Sequence, residues 1–279
     1  MAKRKSLTKQ VQDELRARLR IGESKHEAKK AGTMENYIFS WSTYRAYIKH
    51  LNYFTAYCKT THECKTLKEC EPFAAEWLQT RSELSPYTQK LEAAALRKIY
   101  GNDLKLNPTP PRRRADIKRS RGIAARDKRF NKENNAEFIA FCRSTGLRRS
   151  EITNLRGDQL TEIDGNFYLE IKGKGGRVRY APIIGNISNV VGRCILAAET
   201  GQKVWPYVPD AADIHSYRAD YCHAIYDQYA RDLDDIPPTQ RYHCKGDRAG
   251  AIFDRRAMKE ASEALGHSRI NVIAAHYLR

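Results

Sequence analysis

The sequence predicts a mainly α-helical chain with a small antiparallel sheet, divided into two domains. Three observations carry that expectation. Apolar residues recur at helical spacing through residues 35–105 and again from Phe138. A proline-rich and then arginine-rich stretch interrupts the pattern after residue 106. Beyond it, the period switches to alternation on both sides of Gly173-Lys174-Gly175-Gly176, the mark of a hairpin.

Residues 1–32 form a strongly charged arm. Within it Leu7, Val11, Leu15 and Leu19 recur every four residues, and Arg16, Arg18 and Arg20 lie around them. This pattern suits either a DNA-contacting arm or a helix packed on the next domain. Residues 33–106 read as a helical domain with two stripes. One is Trp41, Tyr44, Ile48, Leu51, Phe54 and Cys58; the other is Leu67, Cys70, Phe73, Trp77 and Leu78. Ser85-Pro86 reads as an N-cap with proline at the first helical position, and Gly101 suits the stop.

Residues 107–127 form a linker. Asn107-Pro108-Thr109-Pro110-Pro111 breaks regular structure, and Arg112, Arg113, Arg114, Lys118, Arg119 and Arg121 follow with Asp116 against them. Such a segment is suited to run along a phosphate backbone. The second domain spans 128–279. Phe138, Ile139, Phe141 and Cys142 predict a helix that stops near Gly146, and a short helix holds Glu151 to Leu155. Phe167, Leu169 and Ile171 alternate, as do Val178 and Tyr180. Helical patterns resume over 215–231 and 256–265.

Composition narrows the partners. The 279 residues carry 50 Lys plus Arg against 33 acids, a formal net charge of +17. That excess favours a polyanion; on charge alone DNA, RNA and an anionic membrane all qualify. There is no apolar run of about 18 residues, so no membrane span is expected. MAKRKSLTKQ has no apolar core of a secretory signal. Seven scattered cysteines without such a signal point to reduced thiols in a cytoplasm. Cys58, Cys64 and Cys70 with His62 make zinc conceivable, but the spacing matches no common zinc motif. The sequence therefore favours core thiols and no metal.

The residues that carry chemistry fall in one order. Arg148 stands in TGLRRSE, Lys174 in GKGG, His215 and Arg218 in HSYR, His267 in LGHS, and Tyr277 follows. Breaking a phosphodiester by transesterification needs a nucleophile, neutralisation of the equatorial oxygens and protonation of the leaving 5′-oxygen. A free tyrosine with a pKa of about 10 costs roughly 4 kcal/mol to ionise at pH 7, so a base or cationic field must offset it. Guanidinium forks match two phosphate oxygens better than an ammonium does.

This constellation resembles the tyrosine recombinases of the phage-integrase family. The resemblance covers 128–279 through motifs and 35–105 only through general helical character. It implies a helical, SAM-like core-binding domain followed by a DNA breaking-rejoining catalytic domain. Arg148 and Arg218 would clamp the scissile phosphate. Lys174 would be the general acid; Lys172, which also precedes a glycine, is the rival. His215 would handle the tyrosine proton, and His267 would hydrogen-bond the phosphate. Tyr277 would attack to give a 3′-phosphotyrosine. Glu151 would orient an active-site arginine.

The implied function is site-specific recombination of duplex DNA without metal, ATP or other cofactor, by the integrase of a mobile element. Protomers would assemble on paired attachment sites as a tetramer, with DNA-bending or directionality proteins as possible accessories. No membrane is involved, and the protein is expected in the cytoplasm, at the nucleoid when bound to DNA. A chromosome-dimer resolvase of the same family is the alternative. A non-catalytic DNA binder on the same fold and an RNA-binding protein are rivals from other classes.

The chain departs from the family pattern in three ways. Arg218 and His267 are 49 positions apart, and much of 232–258 reads as an insertion containing Pro237-Pro238 and Cys244. His267 and Tyr277 are 10 apart, slightly long for the family. The sequence stops two residues after Tyr277, where many relatives carry a helix that docks on a neighbouring protomer, which puts that contact in doubt.

Overall fold

Ser6 opens the first helix. Its hydroxyl accepts the Lys9 N–H at 3.3 Å and so satisfies a donor that the helix itself leaves unpaired. A computed structural model of the chain describes residues 4–111, 113, 130–173 and 176–278, without the Asp247 side chain. It divides into two units, Met1–Ile117 and Lys118–Arg279.

The first unit is helical. Helix α1 (Leu7–Ala17) buries Leu7, Val11 and Leu15, and α2 (Lys25–Lys30) is short and solvated. Helix α3 (Trp41–His62), capped by Ser40, buries Tyr44, Leu51, Phe54 and Cys58. Trp41, expected in that stripe, is 51% exposed. It stands at the first position of α3, edge-on to Tyr44 with ring centroids 5.7 Å apart. The second expected stripe is broken into α4 (Leu67–Cys70), a 3-10 turn containing Pro72, and α5 (Ala74–Gln79). Proline at the junction removes an N–H and interrupts the ladder. Helix α6 (Pro86–Tyr100) starts at the Ser85 cap and stops at Gly101, whose φ of 95° favours glycine.

Leu7, Val11 and Leu15 share one core with Leu51, Phe54, Cys58, Trp77 and Leu96. Helix α1, within residues 1–32, is thus a helix packed on its neighbours. Cys58, Cys64 and Cys70 are buried in the same core. His62 instead stacks on Phe73 at 3.6 Å between ring centroids and bonds Glu76. Among the described residues no group of His, Cys, Asp and Glu could hold a metal ion. Of the expected linker contacts, Arg113 is described and exposed; Arg112, Arg114, Lys118, Arg119 and Arg121 lie outside the described residues.

In the second unit α7 (Ala136–Thr145) ends at Gly146 in the left-handed conformation, and α8 (Arg149–Asn154) follows at once. Strands β1 (Leu160–Ile163), β2 (Asn166–Lys172) and β3 (Val178–Pro182) form an antiparallel sheet in that order. Leu169 and Ile171 are buried, opposite Ala181 and Arg179. Val178 and Tyr180 alternate as expected but face out, 47% and 48% exposed. The inward parity of β3 belongs to Arg179.

Helix α9 (Ile187–Thr200) packs Val190, Cys194 and Ala197 into one core with Leu169 and Ile171, and α10 (Ile214–Tyr229) carries the HSYR motif. Residues 232–258 contain a second, two-stranded antiparallel ladder, β4 (Arg241–His243) with β5 (Ile252–Asp254). Helices α11 (Arg255–Ala264) and α12 (Asn271–His276) complete the unit. Tyr221, Cys222 and Ile225 of α10 share a core with Met258, Leu265, Ile273 and Leu278. No helix of the described residues is long and apolar enough to cross a membrane.

Candidate active site

The turn between α7 and α8 sets the first corner of the site. Gly146 has φ 58°, and a Cβ there would lie 2.2 Å from the Tyr221 ring. Only glycine lets the backbone pass this close over a buried tyrosine. Two residues on, the Arg148 backbone N–H donates to Glu151 Oε2 at 2.8 Å, and Arg148 Nη1 donates to Glu151 Oε1 at 2.7 Å. One carboxylate therefore caps α8 and aims the arginine at its N-cap, Arg148. The Arg148 side chain keeps 35% exposure, so it stays open to a ligand.

Glu151 is itself held from the sheet. Arg179 donates from Nη1 and Nη2 to Glu151 Oε1 and Oε2 at 3.0 and 2.9 Å, a fork-to-fork pair. Both side chains are buried, at 8% and 6% exposure. Burial alone would push the Glu151 carboxyl up. The hydrogen bonds and charge of Arg179, with those of Arg148, outweigh it and hold the pKa at about 2. Arg179 also donates from Nε to the Ala264 carbonyl at 3.3 Å and packs against Gly266.

Arg218 stands at the centre, 2% exposed. Its Nη1 donates to the Gly146 carbonyl and its Nη2 to the Leu265 carbonyl at 2.5 Å. Its Nε donates to the Tyr277 hydroxyl at 3.2 Å. Burial pulls its pKa down from the ordinary guanidinium value, but an arginine so bonded stays a cation. His215 lies one turn before Arg218 on α10, with its ring centroid 5.4 Å from that of Tyr277.

His267 follows Gly266, whose φ is 68° and whose Cβ would meet Arg179 Cδ at 2.6 Å. The close approach brings the imidazole to the other side of the tyrosine, where His267 Nε2 and the Tyr277 hydroxyl are hydrogen-bonded at 3.3 Å. Burial, then the charges of Arg218, Arg148 and Arg179, lower the His267 pKa to about 4. The ring is neutral at pH 7. Tyr277, directly after α12, is 5% exposed.

Arg148, Glu151, His215, Arg218, His267 and Tyr277 are thus drawn together from α8, α10 and the two loops flanking α12. Lys174 lies outside the described residues; the rival Lys172 ends β2 and is exposed. Arg179 was not anticipated. Its signal was present in strand parity: it is two residues from Ala181, on the face that pairs with Leu169 and Ile171. The result is a phenol flanked by two imidazoles and a buried guanidinium, with a second, half-exposed guanidinium alongside. This set can deprotonate a phenol and neutralise a tetrahedral or pentavalent anion.

No protein-family model matches the chain, and no curated protein matches it. Two solved structures of the XerH site-specific recombinase do. One, a post-cleavage complex with a palindromic difH substrate, is 14% identical with a TM-score of 0.55, covering 98% of this chain and 91% of that one. The other, a pre-cleavage complex with difH, is 16% identical with a TM-score of 0.51, covering 92% and 82%. At such identity the likeness speaks for the fold, and it takes in both units. The chain has the fold of the site-specific tyrosine recombinases.

Proposed function

We propose that this protein is a site-specific DNA recombinase, the integrase of a mobile element, that cleaves and rejoins duplex DNA through a 3′-phosphotyrosine. The observation that carries the reading is the double hydrogen bond of the Tyr277 hydroxyl, to Arg218 Nε and to His267 Nε2. A buried tyrosine serving only the core has no need of a buried cation at its oxygen. The XerH structures with the same fold are complexes with DNA substrates, which agrees with the net charge of +17 on this chain.

Tyr277 attacks phosphorus, Arg148 and Arg218 neutralise the equatorial oxygens, and the 5′-oxygen leaves with a proton from Lys174. Arg218 and His267 hold the hydroxyl in the free protein and pass to the phosphate as the new bond forms. His267, neutral at pH 7, is in direct contact with the phenol and can accept its proton. The resemblance gives that proton to His215, which flanks the other side of the ring. Arg112, Arg113, Arg114, Lys118, Arg119 and Arg121 bind the phosphate backbone. Because the phosphotyrosine conserves bond energy, exchange needs neither ATP nor a metal. Two pairs of strands are exchanged in turn by four protomers.

A nicked suicide duplex, drawn from the DNA flanking the gene in its host, tests the reading. Loss of the short fragment beyond the nick strands the covalent intermediate. The wild-type protein should give a protein–DNA adduct on a denaturing gel. Tyr277→Phe should bind the duplex and give none. Adduct formed by Tyr277→Phe would reassign the nucleophile, and no adduct from the wild-type protein would favour a binding role on this fold.

A further inference from the structure

The 232–258 insertion sits between the two elements that supply the central arginine and the tyrosine. Its base is fixed to α10. The Arg231 side chain pairs with the buried Asp254 at 2.9 Å, and the Asp254 N–H donates to the Tyr226 hydroxyl at 3.0 Å. Arg231 follows α10 by two residues, and Tyr226 lies within it. The connection between β4 and β5 returns at Arg248, which lies in a 3-10 turn.

Arg248 reaches the other element. Its Nη1 donates to the Ala274 carbonyl at 2.5 Å and to the Leu278 carbonyl. These two carbonyls bracket Tyr277. The guanidinium stacks over Phe253 of β5, with Cζ 5.2 Å from the ring centroid, so it is held from the hairpin side as well. Helix α12 has six residues, too few to be stable by itself. The Tyr277 and Leu278 N–H groups both turn back to the Ile273 carbonyl, at 2.9 and 3.0 Å. A cation at this C-terminus complements the helix dipole as well as its carbonyls.

We infer that Arg248 is a positioning residue for the nucleophile: it ties the end of α12 to the insertion hairpin so that the Tyr277 hydroxyl stands at Arg218 and His267. The inference rests on the reading of Tyr277 as the nucleophile. Arg248 touches no reacting atom. Its contribution is to hold the segment in place, and a shift of about 1 Å in a reacting group costs up to about a hundredfold in rate.

The test separates delivery of the tyrosine from activation of the phosphate. On the nicked duplex described above, Arg248→Ala should form adduct at least about tenfold more slowly than the wild-type protein, with unchanged DNA affinity. Activation is read in a Tyr277→Phe background with hydrogen peroxide. The hydroperoxide anion attacks phosphorus in place of the phenol and expels the 5′-oxygen. Arg248→Ala/Tyr277→Phe should cleave with peroxide as fast as Tyr277→Phe alone. Arg248→Lys, which keeps a cation but loses the fork, should recover part of the adduct rate. If Arg248→Ala does not fold, Arg248→Lys is read in the same two assays.

Wild-type adduct rates in the Arg248 variants would overturn the inference. So would an equal fall in peroxide cleavage, since that would place Arg248 in the general fold of the unit. A wild-type protein that gives no adduct would overturn the reading of Tyr277 itself, and the inference with it.

Discussion

Arg179 and Glu151 face each other fork to fork, at 3.0 and 2.9 Å, in a buried pair that also fixes Arg148. Arg148 is therefore aimed by a carboxylate that is aimed in turn by the sheet. Removing Arg179 takes the fork-to-fork partner from the buried Glu151 carboxylate and leaves Arg148 as its remaining cation, at a cost of about 3 kcal/mol. Arg179→Met should lower the unfolding free energy by that amount, read as a lower denaturant midpoint at unchanged slope, and slow adduct formation. An unchanged midpoint would show that the pair carries no net stability.

Gly146 provides a second check on the assembly. Alanine there meets the Tyr221 ring at 2.2 Å in a left-handed backbone conformation, and Tyr221 is pinned by its bond to the Pro182 carbonyl at 2.7 Å. Overpacking of this kind costs about 2 kcal/mol. Because the Gly146 carbonyl accepts from Arg218, Gly146→Ala should also lose adduct formation beyond what its stability explains. Thermal unfolding and the adduct assay at a temperature well below the transition, run side by side, decide this. Normal values in both would place the Gly146 turn outside the site's support.

The pH dependence has a definite sign. The folded pKa of His267, about 4, lies below its ordinary 6.5. The unfolded chain therefore takes up a proton first as pH falls. The contribution of neutral His267 to stability is complete above pH 6.5 and is lost as pH falls through 6.5 towards 4. Glu151, held at about 2, loses its contribution in a lower window, from 4.5 down towards 2. Unfolding free energies measured from pH 8 to pH 4 should decline below pH 6.5 in the wild-type protein, and this component should vanish in His267→Gln. If His267 takes the phenol proton, the wild-type adduct rate should fall towards pH 4, and His267→Gln should be slower than His215→Gln at pH 7. The reverse order would return the proton to His215.

Lys174 and Lys172 are separated by the leaving group. An acid that protonates the 5′-oxygen becomes dispensable when sulfur replaces that oxygen, because a thiolate leaves without a proton. Lys174→Ala should cleave ordinary DNA about a hundredfold more slowly and recover on the sulfur-bridged substrate, whereas Arg148→Ala should not recover. Recovery by Lys172→Ala in place of Lys174→Ala would exchange the two lysines.

Much of this was legible in order along the chain. Local signals are short-range, so the Ser85-Pro86 start of α6, the Gly146 stop of α7 and the pairing of β2 with β3 follow from a few neighbouring residues. The motif residues Arg148, Glu151, His215, Arg218, His267 and Tyr277 could be named without coordinates. What periodicity could not give was the direction in which alternating residues face. Val178 and Tyr180 alternate as apolar residues, yet β3 turns them outward and buries Arg179, because the parity is set by pairing with Ile171. The energetic reason lies 28 residues away in Glu151, whose charge offsets the burial of Arg179 and has no local trace. Likewise, nothing between Asp232 and Met258 announces that Arg248 meets the carbonyls around Tyr277. The sequence determined the order of the motif groups Arg148, Glu151, His215, Arg218, His267 and Tyr277, but not Arg179 or Arg248. Tertiary packing decided that Arg179 holds Glu151 and that Arg218 and Arg248 hold their carbonyls, since those bonds join strands, helices and a hairpin that are remote along the chain.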